Sequence, residues 1–336
     1  MRIVRMLVFA LALVMTIGSP ALAAPAGKLT ISIKEYDLPT PQSHPHDPAV
    51  APDGSLWYTG QMANKLGRLD PKTGEIREYA LKTEGSGPHG LVADRQGSIW
   101  FTAAFKGYVG KLDPKTGSVT EYKMPDSRAR DPHTPVFDGL GNLWFTVESG
   151  NFVGRLDPKT GEVKLKEVPT SNAVPYGIVV SSRGVPYFCE FGTNKLASIN
   201  PDTMTITEYP LPAGAHPRRL AITKDDVIYY TDYARGFLGR FDSRTGKLEE
   251  WASPGGPPSR PYGIAIAPDG MVWYSESGVN PNTLVRFDPA TRSFALEAIP
   301  SGGGVVRNMV ATPTGDLYLA CSGVNKVAVV ATQKGL

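Results

Sequence analysis

Short runs of alternating apolar and polar residues fill most of the chain, and the same run recurs. One copy reads HGLVADRQGSIWFTA from His89, and a later copy reads YGIAIAPDGMVWYSE from Tyr262. In each copy an apolar strand meets a polar turn such as RQG or PDG, and an aromatic-rich strand follows. Alternation with a period of two is typical of half-buried β-strands. Each copy therefore predicts a β-hairpin.

Seven copies follow one another at a nearly constant distance. They begin at His46, His89, His133, Tyr176, Arg218, Tyr262 and Arg307. Successive starts lie 43, 44, 43, 42, 44 and 45 residues apart. A repeat of this length is typical of the four-stranded blades of a propeller. The predicted fold class is all-β, a seven-bladed β-propeller of four-stranded antiparallel blades.

The remainder of each copy supplies the third and fourth strands. Segments such as KLGRLD predict the third strand, and segments such as EYALK predict the fourth. The sequence D-P-K-T-G between them, at Asp70, Asp113 and Asp157, suits a tight hairpin turn. We expect the tryptophans of the second strands to pack between blades; they are Trp57, Trp100, Trp144 and Trp273.

The two ends of the repeat region complement each other. The last copy stops near Val330 without a fourth strand, whereas LTISIKEYDLP, near the start of the chain, matches one. We predict that Leu29–Leu38 pairs as the outer strand of the last blade. Its hydrogen bonds would close the ring and leave no open sheet edge there.

The first 23 residues have the pattern of a secretory signal peptide. A basic start precedes an apolar run from Met6 to Ile17, and Ala21-Leu22-Ala23 follows as a small-residue exit. The run is too short to span a membrane, since a spanning helix needs about 20 residues. We predict a signal peptide at 1–23 and one propeller domain at 24–336. We expect a periplasmic or secreted monomer with no membrane span after cleavage.

Composition narrows the function classes. A hydrophobic content of 41% excludes disorder. With 35 basic and 32 acidic residues and no Lys/Arg-rich run, nothing predicts a nucleic-acid partner. Two cysteines exclude a disulfide scaffold. Cys189 and Cys321 lie in blades three apart, and a disulfide needs Cα atoms within about 7 Å, so we predict two unpaired thiols.

Candidate chemistry concentrates at one mouth of the channel. If strand two folds back on strand one, the first residue of a copy lies opposite the residue fourteen positions later. The pairs are His46/Gly60, His89/Ala103, His133/Val147, Tyr176/Glu190, Arg218/Asp232, Tyr262/Glu276 and Arg307/Cys321. Glu148 lies one residue beyond its partner position, which leaves its direction open. Local pairing, such as an Arg218–Asp232 ion pair, is the alternative to a functional site.

The five histidines have a regular placement. Three of them, His46, His89 and His133, begin consecutive copies, and His44 and His216 lie two residues before such a position. Residues two apart in a strand share a face, so all five could approach one rim. Histidine serves as an acid, a base or a metal ligand.

The repeated PHGL/PYGI, IWFT/WYSE and KLGRLD segments resemble the streptogramin B lyase (virginiamycin B lyase) family over roughly residues 29–330. The resemblance implies Mg²⁺-assisted elimination at the ester of a cyclic depsipeptide. A base takes the proton α to a carbonyl, and the carboxylate of the ester leaves. The family's working residues include a His in PH-x-I and a Glu in WFTE of a late blade. Glu276 matches that Glu, and Tyr262 replaces the His.

The resemblance and the predicted mouth together suggest roles. Glu276, Tyr262 and Glu190 would be catalytic; Tyr176, Arg218, Asp232 and Arg307 would bind the substrate, a small molecule or cyclic peptide; and His46, His89 and His133 would hold the metal. Two alternatives stay open. One is a non-catalytic propeller that binds a ligand or partner at the same mouth. The other is a lactonase-like hydrolase with Ca²⁺ near Asn308 and Glu276.

Overall fold

Seven antiparallel sheets form a ring, as the repeat predicts. The structure, a computed structural model, describes residues 26–332. The predicted signal peptide at residues 1–23 lies outside the described residues. The first strand of each blade contacts the first strands of its neighbours, including blade seven against blade one. These first strands therefore surround the central channel.

The strands of the first four blades run from the channel outwards in chain order. Blade one comprises Pro45–Val50, Leu56–Gly60, Lys65–Leu69 and Ile76–Ala80. Blade two comprises Pro88–Ala93, Ile99–Ala103, Tyr108–Leu112 and Val119–Lys123. Blade three comprises Pro132–Phe137, Leu143–Val147, Phe152–Leu156 and Val163–Glu167. Blade four comprises Pro175–Val180, Pro186–Glu190, Lys195–Ile199 and Ile206–Pro210.

The remaining blades follow the same order. Blade five comprises Pro217–Ile222, Val227–Asp232, Phe237–Asp242 and Leu248–Ala252. Blade six comprises Pro261–Ile266, Val272–Glu276, Thr283–Asp288 and Ser293–Ala298. Blade seven comprises Val306–Ala311, Leu317–Cys321 and Lys326–Ala331. Within residues 26–332 the helical segments are two 3₁₀ turns, Pro257–Ser259 and Ser322–Val324, and neither is long enough to cross a membrane.

The N-terminal strand completes the ring. Ser32–Asp37 pairs antiparallel with Lys326–Ala331, which confirms the predicted outer strand of blade seven. A further two-residue strand, Gly27–Lys28, pairs parallel with Ser293–Ala298 of blade six. The segment therefore joins blades six and seven. The sequence did not predict the parallel contact, because two residues carry no alternation.

Aromatic side chains fill the space between blades. The four tryptophans of the second strands are at most 2% exposed, which confirms them as packing residues. Glycines of the third strands make room for the neighbouring rings. A Cβ atom on Gly110 would lie 2.1 Å from Cζ of Phe101, so only glycine fits there. This explains the glycine of the KLGRLD-like segments.

A buried hydroxyl or thiol joins each of the first six blades to the next. Oγ1 of Thr102 accepts a hydrogen bond from the Gly90 N–H (2.8 Å) and donates to the His133 carbonyl of blade three (2.5 Å). Five other side chains occupy the equivalent position and contact the next blade: Thr59, Thr146, Cys189, Thr231 and Ser275. We call these six residues the relay residues. Each satisfies a backbone N–H in its own blade and a carbonyl in the next.

Cys189 is therefore a hydrogen-bonding residue of the fold. Its Sγ accepts from the Gly177 N–H (3.1 Å) and donates to the Arg218 carbonyl (2.9 Å). Cys321 is also buried and free, which confirms the prediction of two unpaired thiols. Burial raises the pKa of both thiols to about 12, so neither is a thiolate at neutral pH.

Replacement of a relay residue tests the importance of this contact. We expect Thr102→Val to lower the free energy of unfolding by about 1–3 kcal/mol, because it leaves a buried N–H and a buried carbonyl unpaired. Urea unfolding followed by tryptophan fluorescence measures the change. The same substitution at the exposed strand residue Thr207 is the control. Equal stability of the two variants would contradict the role of the relay.

Candidate functional site

Seven side chains from the first strands form a ring around the channel, one from each repeat copy. The ring centroids of His46 and His89 lie 3.5 Å apart, and those of His89 and His133 lie 3.7 Å apart. Tyr176 follows at 3.9 Å from His133. The Arg218 guanidinium carbon lies 3.8 Å from the ring centroid of Tyr262. The structure thus brings together the three histidines that the sequence grouped.

The predicted cross-strand pairs are wrong at the mouth. Pro261, and not Tyr262, lies opposite Glu276, and the other blades show the same one-residue shift. The predicted register holds from the fourth residue of each first strand, for example Pro48 opposite Tyr58. A β-bulge lies between these points and adds one residue to the first strand. The pairs Tyr176/Glu190, Arg218/Asp232 and Arg307/Cys321 fail for the same reason.

The bulge also turns a second side chain toward the channel in blades one, three and five. His46 Nδ1 lies 2.9 Å from Oδ1 of the next residue, Asp47. His133 Nδ1 lies 2.8 Å from Oγ1 of the next residue, Thr134. Strict alternation would place neighbours on opposite faces, so the sequence analysis missed these second residues. They form an inner layer beside the ring.

An ion pair crosses the channel in this inner layer. Arg219 of blade five donates to both oxygens of Asp47 in blade one, at 2.7 and 3.1 Å. Its Nη1 also donates to Thr134 Oγ1 in blade three at 3.1 Å. Arg219 and Asp47 are each 2% exposed. A bidentate, buried pair of this kind fixes the positions of three blades.

The three histidines of the ring are neutral. Burial, with the neighbouring arginines and histidines, holds the pKa values of His46, His89 and His133 well below the usual range. Because Arg219 can only donate, Thr134 Oγ1 accepts from it and can give its proton to His133 Nδ1.

The metal prediction does not fit this arrangement. Ligand atoms of His46, Asp47 and His89 lie within 4.8 Å of one another. However, both oxygens of Asp47 already accept from Arg219. The remaining donors are two imidazoles, whereas Mg²⁺ prefers oxygen ligands. This cluster is therefore unsuited to Mg²⁺.

The predicted catalytic carboxylates are held by hydrogen bonds to nearby loop and strand residues. Glu276 accepts hydrogen bonds from Ser253 Oγ (2.5 Å), the Gly255 N–H (2.7 Å) and Thr283 Oγ1 (2.6 Å). Glu190 accepts from Thr193 Oγ1 at 3.0 Å. Burial and then Glu208, on the outer strand, raise the pKa of Glu190 to about 7. These contacts do not join either carboxylate to Tyr262 or Tyr176.

The predicted Arg218–Asp232 ion pair is also wrong. Asp232 accepts from Nε of Arg235 at 2.5 Å and from the His216 N–H at 3.0 Å. Arg218 instead donates to the Tyr176 hydroxyl at 3.2 Å. Arg307 donates to Ser322 Oγ at 2.9 Å. Arg218 nevertheless packs against two ring tyrosines, Tyr176 and Tyr262.

Two of the five histidines stay outside the ring. His44 is exposed, with a left-handed backbone (φ 50°). His216 is half-buried, and its Nδ1 lies 2.8 Å from the Phe191 carbonyl oxygen. The alternation argument placed them with the ring, but both precede the bulged strands in the loops that enter the blades.

Glu148 is the functional candidate whose direction the sequence left open. Its Oε2 lies 3.3 Å from Nε2 of His133, so it faces the ring. Burial and the neighbouring Asp131 raise its pKa from 4.5 to about 7. Its side chain is 27% exposed and reaches solvent. The sequence signal was the position itself, one residue past the end of strand Leu143–Val147.

A cavity of about 930 Å³ lies on the opposite face, against the turns after the first strands of blades five and six. Its wall includes Tyr229 and Trp251. Two arginines of the wall, Arg240 and Arg292, both pair with Glu249. Both arginines already have an acidic partner, so we place the candidate site at the ring and Glu148.

Two comparisons with known proteins, one by sequence model and one by structure, agree on the same family. A sequence model of the virginiamycin B lyase family matches residues 25–188 and 167–335. A streptogramin B lyase structure is similar at 26% identity and a TM-score of 0.82, covering 89% of this chain and 97% of that one. Virginiamycin B lyase from Staphylococcus aureus is similar at 23% identity and a TM-score of 0.82, covering 90% and 99%.

A catalytically inactive variant of the Staphylococcus aureus lyase with quinupristin is also similar, at 23% identity and a TM-score of 0.81. It covers 90% of this chain and 99% of its own. The comparison with curated proteins returned no match.

The contacts of Glu276 predict a structural role. We expect Glu276→Gln to lower the free energy of unfolding by about 1–3 kcal/mol, because an amide group cannot accept all three hydrogen bonds. Urea unfolding measures this change in free energy, and Glu75→Gln, at an exposed residue, is the matched control. A Glu276→Gln protein of unchanged stability and impaired activity would instead restore the catalytic role that the sequence predicted.

Proposed function

The chain belongs to the virginiamycin B lyase family, and from that membership we propose that it is a lyase that opens a cyclic ester by elimination at the mouth of the channel. The observation that carries the proposal is Glu148 beside His133. A carboxyl group with a pKa of about 7 is half ionised near neutral pH. A base of that pKa is well matched to proton transfer at physiological pH.

The surroundings of Glu148 suit a general base. Nε2 of His133 lies 3.3 Å from Glu148 Oε2 and would orient the carboxylate. The other oxygen is then available to a substrate. On the opposite side of the imidazole, Nδ1 of His133 contacts Thr134 Oγ1, which accepts from Arg219. His133 is thus a positioning residue, and Glu148 is the group that would touch the substrate.

The proposed elimination accounts for every atom and electron pair without the addition of water. Glu148 takes the proton from the carbon α to a carbonyl, and the electrons of that C–H bond form a carbon–carbon double bond. The ester C–O bond on the adjacent carbon breaks, and its electron pair leaves on the carboxylate oxygen. The ring opens, and Glu148 becomes protonated. The proton is then released to solvent, which the partly exposed side chain reaches.

The similar structures suggest the substrate class, and the sequence suggests the cellular location. One similar structure contains quinupristin, which suggests a cyclic depsipeptide ester as the first substrate to test. The pattern of residues 1–23 supports export, so we propose that the protein acts in the periplasm or outside the cell. Mg²⁺ assistance, which the resemblance implies, finds no fitting donor set at the histidines.

Glu148→Gln tests the base directly. We expect the rate of ester opening, kcat/KM, to fall by at least about 10², the usual scale for a positioned acid or base. In the unmodified protein kcat/KM should rise with pH up to about 7 and then level off, because the base must be ionised. Exposed Glu84→Gln is the matched control.

The pH dependence of protein stability provides a second test of the raised pKa of Glu148, and it also shows whether the Gln variant is folded. The folded carboxyl keeps its proton up to about pH 7, whereas an unfolded one releases it near 4.5. Protein stability should therefore fall as pH rises through that window, and the Gln variant should lack this fall. If no cyclic ester opens but a ligand binds at the mouth, the non-catalytic binding propeller is the better account.

A further inference from the structure

Two arginines of the ring have no acidic partner. Among residues 26–332, no carboxylate oxygen lies within 4.0 Å of the Arg218 or Arg307 guanidinium. By contrast, Arg219 is neutralised by Asp47, and Arg235 by Asp232. A charge removed from water is normally paired. The two arginines therefore leave the mouth with uncompensated positive charge.

Arg218 is held in a box of aromatic rings. Its guanidinium carbon lies 3.8 Å from the centroid of Tyr262, 4.4 Å from Tyr233, 4.7 Å from Phe191 and 5.0 Å from Tyr176. The ring faces attract the cation but supply no counter-charge. Nε of Arg218 is buried without a hydrogen-bond partner. An anion at the mouth would supply the counter-charge that this planar guanidinium lacks.

The box lies next to the proposed base. The Tyr176 ring packs against His133, which contacts Glu148, and the Tyr176 hydroxyl accepts from Arg218. The base and the unpaired cation therefore lie on either side of one tyrosine. The Tyr176 and Tyr262 hydroxyls are hydrogen-bonded to each other, which ties the box together. An elimination needs this combination, since a proton leaves one carbon and an anion leaves the next.

We propose, on the premise of the lyase reaction above, that Arg218 binds the carboxylate that leaves the substrate and that the elimination is independent of a divalent metal. The planar guanidinium matches a carboxylate through two parallel hydrogen bonds. It stabilises the negative charge that develops on the leaving oxygen as the C–O bond breaks. Arg307 adds positive charge at the same rim. Uncompensated guanidinium groups favour an anion at this mouth and disfavour a metal cation.

A binding experiment tests the carboxylate site without any turnover. Isothermal titration calorimetry with benzoate is compared with its neutral analogue benzamide. We expect Arg218→Met to weaken benzoate binding at least tenfold and to leave benzamide binding unchanged. Arg218→Lys should be intermediate, because it keeps the charge but loses the planar fork. Arg77→Met, which removes an exposed arginine stacked on Tyr79, is the matched control.

Two results of the calorimetry would overturn the carboxylate site. One is equal binding of benzoate and benzamide, and the other is benzoate binding that Arg218→Met leaves intact. If Arg218→Met does not fold, as circular dichroism would reveal, Arg218→Lys decides the matter. Phosphate that binds while benzoate does not would show a general anion site with no fit to the leaving group.

A turnover experiment tests metal independence. With a cyclic depsipeptide ester that the protein opens, we expect EDTA to leave the rate unchanged. Arg218→Met should lower kcat by at least about 10², as loss of a group that stabilises an oxyanion does. Abolition of activity by EDTA with recovery on Mg²⁺ addition would refute the inference and leave the lyase proposal standing. If no ester opens, the leaving-group role fails with the lyase proposal, and the calorimetry alone decides whether the carboxylate site exists.

Discussion

The hydroxyl or thiol that joins one blade to the next is the contact on which the rest of the structure depends. Each relay residue accepts from a backbone N–H at the bulge of its own blade and donates to a carbonyl of the next, as Thr59 does with Asp47 and His89. A buried group with both partners satisfied fixes the separation of the inner strands. The equivalent residue in blade seven is Ala320, which has no such group. At that junction the strand Ser32–Asp37 closes the ring instead.

The relay hydrogen bond depends on the bulge, and the same bulge positions the side chains of the site. An extra residue in an antiparallel strand leaves one N–H without its ladder partner, and the relay residue supplies the missing acceptor. The bulge also lets consecutive residues face the channel. Arg218 can therefore sit among tyrosines at the mouth while Arg219, the next residue, spans the channel to Asp47. In a regular strand only one residue of two consecutive residues, such as Arg218 and Arg219, would face the channel.

The sequence predicted the seven blades and the closure of the ring but only part of the site, for a physical reason. Period and alternation survive across seven copies, so the blades, the closing strand and the unpaired cysteines could be predicted. A bulge changes the strand register by one residue, but it cannot be detected in the alternation of apolar and polar residues along the sequence. The prediction therefore placed Glu276 opposite Tyr262, where Pro261 lies, and left the direction of Glu148 open. Cross-channel contacts such as Arg219–Asp47 join residues far apart in sequence, which periodicity cannot detect.

The charges of the mouth favour the proposed elimination over the alternative chemistries. A lactonase-like hydrolase would need carboxylate and amide oxygens free for Ca²⁺, but Glu276 accepts three hydrogen bonds and Asn308 Oδ1 accepts from the Met309 N–H. The histidines are neutral because they are buried beside arginines, so they offer no cation to a substrate. What the mouth does offer is Glu148, the carboxyl group that faces the ring and can take a proton near neutral pH, and Arg218, a guanidinium group without an acidic partner. A proton acceptor beside an anion acceptor is the pair of groups that the proposed elimination needs, and neither group requires a metal for that role.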